Sequence, residues 1–180
     1  MSMSNGPSAN QVGLLVALCA FFSPLCLAQS PGLGQQVSAV ELQAVDFTIM
    51  PDGSGLPPGS GDARRGATVY QMHCLSCHGE QGVGGLNDRL AGGHGSLTSN
   101  SPVKTVGSYW PYATTLFDYV RRAMPYTAPG NLNDDDLFAV TAYVLFVNGI
   151  VGETTVVDAN TLPGIKMPNV DNFVWAVPSD

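Results

Sequence analysis

The sequence predicts an all-α domain between two irregular arms. Three observations carry that prediction: a capped helix over residues 63–74, an amphipathic segment ending near Arg122, and a long apolar helix that opens at Asn133 and ends near Gly149. Asp62 stands where an N-cap belongs. Gly66 and Tyr70 then fall four residues apart on one face of the helix it opens. The stretch from Gly79 to Gly95 is a loop by composition, with Gly82, Gly84, Gly85, Gly92 and Gly93 inside it. No Gly-Lys-Ser/Thr follows, so a phosphate cradle is not indicated. Thr114 or Thr115 can cap the second helix, whose apolar face is Leu116, Tyr119 and Val120, and Pro125 stops it. Asn133 followed by Asp136 resembles a capping box with Asp in place of Glu. Asp134 and Asp135 suit the positive end of the helix dipole. Leu137 to Val147 is apolar around nearly its whole circumference, so this helix is expected to be buried on several sides. The run is too short for a membrane span.

The flanks read differently. Val12 to Phe22 is eleven residues without a polar side chain, followed by small residues at Cys26 and Ala28. That is the length of a signal-peptide core, with cleavage expected after Ala28. The segment before it has no Lys or Arg, which leaves an uncleaved anchor as the alternative. Residues 29–61 form an N-terminal arm rich in Gly, Pro, Ser and Gln, with turns at Met50-Pro51-Asp52-Gly53 and Leu56-Pro57-Pro58-Gly59. Residues 62–150 form the domain, and residues 151–180 a second, proline-containing arm. Seven basic and fourteen acidic residues give a net charge of −7, all of it after residue 28. So acidic a chain is a poor ligand for nucleic acid. It suits a basic redox partner, or serves solubility alone.

Cys74-Leu75-Ser76-Cys77-His78 carries the chemistry. C-x-x-C-H is the attachment run of a c-type haem: two thiols on one helical turn form thioethers to the porphyrin, and the next imidazole lies beneath the iron. Half a zinc site and a redox dithiol are the competing uses of C-x-x-C. No second C-x-x-C and no H-x-x-x-H is present to complete a zinc site. Loss of the signal segment would remove Cys19 and Cys26. The mature chain would then keep two cysteines, both in this motif. Export, one covalent haem c and the lack of a spare thiol agree with one another.

An electron-carrying haem normally takes a second protein ligand. Met50, Met72, His73, His94, Met124 and Met167 are the candidates after residue 28. Met72 and His73 precede the motif on its own helix and cannot reach the opposite haem face. Met50 lies in the N-terminal arm. Met124 and Met167 both precede proline, which fixes the backbone and frees the thioether to point inward. Met124, just before the last helix, is the expected ligand beside His78. Met167, His94 and an open site are the alternatives.

The order of helix, C-x-x-C-H, loop, Met and helix resembles the class I cytochromes c over roughly residues 62–150. In that family a Gly and an aromatic on the first helix cross an aromatic on the last, and Gly66, Tyr70 and Tyr143 stand in the matching places. A narrower resemblance lies outside the haem motif. It runs through Pro51-Asp52-Gly53-Ser54-Gly55-Leu56-Pro57-Pro58-Gly59, then from Lys104 to Pro125, then Asp158 to Pro163 and Met167-Pro168-Asn169. These stretches are similar to the cytochrome subunits of bacterial molybdenum sulfite dehydrogenases and of the related sulfane dehydrogenase of thiosulfate oxidation, over about residues 46–173. The sulfane type carries two haem motifs and this chain one, which favours the smaller sulfite type. The resemblance implies a periplasmic electron-transfer subunit without catalysis of its own. It would pass single electrons from a molybdenum-containing subunit to a soluble cytochrome c. A stand-alone carrier is the alternative, with a haem enzyme of labile distal site behind it. Tyr109, Trp110 and Tyr112 are expected to wall a haem edge. Arg121 and Arg122 are expected to pair with haem propionates or an acidic partner, or to be a solvated helix face.

Overall fold

The computed structural model describes residues 32–174. The expected signal peptide at residues 1–28 and the last six residues of the C-terminal arm lie outside them. The chain divides into two units, Met1–Ala44 and Val45–Asp180. A short helix, α1 (Ala39–Val45), runs across the boundary in sequence between them, inside the arm expected to be irregular. Its signal is in the chain: Ser38 and Glu41 form a capping box, with the Ser38 N–H and hydroxyl both donating to Glu41 Oε2 (2.9 and 2.7 Å).

The second unit is helical, with a two-residue antiparallel clasp as its sheet. In it α2 (Ala63–His73) is capped by Asp62, whose carboxylate accepts the Arg65 N–H. A single turn, α3 (Leu75–His78), follows. Next, α4 spans Ala113–Ala123. It begins one residue before the expected capping threonines, because Thr114 is buried and its hydroxyl donates to the Pro51 carbonyl (3.3 Å). The last helix, α5 (Asp134–Val147), opens on Asn133, which accepts the Asp136 N–H and donates back to its carboxylate. Leu137 to Ala142, Val144 and Leu145 are all buried, as the all-round apolar run requires.

α2 and α5 cross at Gly66. A Cβ there would run into the Ala139 carbonyl, so only glycine admits this approach. One turn on, the rings of Tyr70 and Tyr143 pack 4.9 Å apart. Phe117 of α4 packs on Phe138 of α5 at 4.5 Å. The flanks close over this core. Strand β1 (Ser60–Gly61) pairs with β2 (Val157–Asp158), and Val157, Leu162 and Met167 are fully buried members of the core. Asn169 donates to the Tyr109 carbonyl (2.8 Å). Among the described residues no helix is long and apolar enough to cross a membrane.

Candidate haem centre

The three helical segments α2, α3 and α4 converge on one cleft. Cys74 ends α2. The N–H groups of Cys77 and His78 both donate to its carbonyl (3.1 and 2.9 Å), so the C-x-x-C-H run is wound into one turn around Cys74. Opposite, Met124 caps the C-terminus of α4 through its N–H to the Val120 carbonyl (3.0 Å). Cys74, Cys77, His78 and Met124 all line the cleft, whose walls include Leu90, Val106, Trp110, Leu116, Val120, Val140 and Val144. These walls come from the glycine-rich loop, the segment leading into α4, α4 itself and α5, so the site exists only when segments remote in sequence meet.

His78 is held in one tautomer. Its Nδ1 lies 2.8 Å from the Asp88 carbonyl oxygen. A carbonyl only accepts, so Nδ1 carries the proton and the lone pair is left on Nε2, the tautomer a metal ligand needs. The Asn87 N–H donates to the Cys77 carbonyl (2.9 Å) and ties the same loop to the motif. Tyr70 donates to the Gly79 carbonyl (2.8 Å), and its own burial pushes the phenol up to about 12. Burial, with Cys77 beside it, pushes the Cys74 thiol up to about 11. Dithiol redox chemistry depends on a lowered thiol pKa, and this environment does the opposite. Among the described residues no group of three or more His, Cys, Asp and Glu could hold a metal ion, so the zinc alternative has no ligand set. Two thiols on one turn, an imidazole with free Nε2, a methionine lining the same cleft and apolar walls fit a covalently attached haem.

Comparison with known proteins decides the family. The family model described as cytochrome C oxidase, cbb3-type, subunit III, matches residues 61–144. A chain of the crystal structure of the sulfane dehydrogenase SoxCD from Paracoccus pantotrophus is 43% identical, with a TM-score of 0.73, and the match covers 81% of this chain and 72% of that one. The chain is a c-type cytochrome. It belongs with those related to subunits of sulfur-oxidising enzymes. Among curated proteins none matches. Membership makes this an electron-carrying cytochrome of the class I fold, with covalently bound haem c as its cofactor.

Several expected neighbours of the haem lie elsewhere in the cytochrome. Of the aromatic block only Trp110 lines the cleft. Tyr109 packs edge-on against Phe173 with Lys104 over its ring, and Tyr112 bridges to Lys166. Arg121 and Arg122 line a separate groove with Phe47 and Leu132. There Arg122 pairs with Asp118 (2.8 Å) and Arg121 lies over the Phe47 ring, so the propionate reading of this pair is not supported. The core, rather than the cleft, takes Met167. Met72 is 67% exposed, and His94 lines a groove with Gly107 and Asn169. His73 does line the cleft, on the same helix as Cys74. Tyr126 and Thr127 line it as well. Their signal was available: they directly follow the Met-Pro pair.

Proposed function

We propose that this cytochrome carries one haem c, which Cys74 and Cys77 would bind covalently and whose iron His78 and Met124 would ligate. We further propose that it passes electrons from a molybdenum-containing subunit oxidising a sulfur compound to a soluble cytochrome c in the periplasm. The observation that carries the site is the convergence of the four side chains on one apolar cleft, with His78 Nδ1 engaged by the Asp88 carbonyl. The 43% identity to a chain of sulfane dehydrogenase supports the donor's class. Residues 1–28 serve as the export signal in this reading, and residues 62–150 as the haem domain.

The haem supplies an iron that gains and loses one electron. What the chain supplies is position and environment. Thioethers from Cys74 and Cys77 would fix the porphyrin, and His78 is left with Nε2 to offer because the loop holds Nδ1. A Met124 thioether favours ferrous iron and raises the potential above that of a bis-histidine site. Leu116, Val120, Val140 and Val144 exclude water and so limit reorganisation on electron transfer. Tyr119 and Tyr126, at the cleft and exposed to solvent, offer an aromatic contact for a partner near the haem. The test is a ferric near-infrared spectrum, in which sulfur–iron ligation gives a weak band. Met124→Ala should abolish the band and admit carbon monoxide to the ferrous iron. A Met124→Ala protein that retains the band would refute the ligand assignment.

A further inference from the structure

Asn148 sits directly after α5 and is 5% exposed. One of its amide bonds is local: Nδ2 donates to the Val144 carbonyl (2.8 Å). The other two leave the helix. Nδ2 also donates to the Leu90 carbonyl (3.2 Å), and Oδ1 accepts the Gly92 N–H (3.1 Å). On the other side of Gly92, the Thr105 hydroxyl donates to its carbonyl (2.6 Å), and the Thr105 N–H is itself held by Ser108 Oγ (2.9 Å). Thr105, Ser108 and Asn148 are three of the six buried polar side chains among the described residues. Burying polar groups is costly unless they are bonded, and here the bonds converge on one stretch of loop.

That stretch begins two residues after Asp88, which holds His78. The Asp88 carbonyl accepts from His78 Nδ1. Its loop is tied before it by Asn87 to Cys77, and after it by Asn148 at Leu90 and Gly92. Those ties bracket the carbonyl on both sides. We propose that Asn148 is a positioning residue for the haem ligand: it holds Leu90–Gly92 so that the Asp88 carbonyl keeps its bond to His78. This rests on His78 being the ligand. A firm Nδ1–H···O bond makes the imidazole a more basic ligand and so favours ferric iron. Loosening it should raise the midpoint potential. Gly107 gives an independent handle, because a Cβ there would collide with the Asn148 amide oxygen. Gly107→Ala would displace that amide from a position outside His78 and residues 87–92.

The experiment uses the haem-loaded cytochrome and two readouts: the midpoint potential, and the exchange rate of the His78 Nδ1 proton in the ferrous protein by NMR. Asn148→Ala and Gly107→Ala should both raise the potential and speed exchange by about tenfold or more, as expected for losing two hydrogen bonds to the loop. Asn133→Ala removes the cap at the far end of the same helix. It should lower thermal stability and leave both readouts alone. An Asn148→Ala protein that matches Asn133→Ala in potential and exchange overturns the proposal. Should Asn148→Ala fail to fold, Asn148→Ser, too short to reach Leu90 and Gly92, is read against the same two outcomes. A His78→Ala variant with an unchanged low-spin spectrum would remove the ligand reading itself, a result separate from any behaviour of Asn148.

Discussion

Met124 and Met167 are the same residue before the same proline, yet their surroundings give them different work. Met167 is 1% exposed and packed among core residues that include Val157 and Leu162. Met167→Ala should therefore cost roughly 2–5 kcal/mol of stability, read in chemical denaturation, and leave the near-infrared band in place. Met124→Ala should show the reverse balance. The motif residues were legible in the chain because covalent attachment demands fixed spacing. The fates of Tyr109, Tyr112, Arg121 and Arg122 were not. Their environment is set by Phe173, Lys166 and Phe47, which no local pattern ties to them.

Helices announce themselves through their ends, and the crossings between them through their small residues. Asp62 and Asn133 cap as their positions suggest. Ser38 and Glu41 cap a helix that the arm's composition hides. At the α2–α5 crossing, Gly66→Leu has no room against Ala139 and should abolish folding, seen as loss of cooperative thermal unfolding. The flanking pairs of Arg65 with Asp135 and Asp136 are partly exposed, so Arg65→Ala should cost less than about 1 kcal/mol. The clasp carries an acid-sensitive element. Asp158 accepts the N–H groups of Thr161 and Asn160 (2.8 Å each), which hold its carboxyl below the usual range. Because the folded pKa lies below the unfolded one, this contribution is complete above about pH 4. It is lost as pH falls through the lowered value. Asp158→Asn should flatten the dependence of the melting temperature on pH in that acid window.

At the scale of the whole molecule, the C-terminal segment proves to be part of the core rather than an appendage. Its prolines and turns gave no periodic signal, although Val157, Leu162 and Met167 are as buried as any helix residue. Truncating residues 151–180 should thus unfold the protein, seen as loss of its cooperative thermal transition. Docking is better probed at Tyr126, which is 83% exposed at the cleft. Sulfite should leave the haem of the isolated cytochrome oxidised and reduce it when a molybdenum subunit of the sulfur-oxidising class is added. Tyr126→Ser should slow that reduction with the absorption spectrum unchanged. Rapid reduction of the isolated protein, with no molybdenum by elemental analysis, would rule out the carrier role.

The cleft's far wall, Val140 and Val144, belongs to the last helix, while the two cysteines lie well before it in the chain. During synthesis the pentapeptide is therefore exposed long before there is a pocket to hold a porphyrin. An attachment catalyst that works on the emerging chain meets Cys74 to His78 as an open strip, and must recognise it without the fold's help. Maturation and folding then become separable events. Val140→Asp should yield a polypeptide that stays coloured through denaturing electrophoresis yet never acquires the sharp low-spin spectrum of the finished protein.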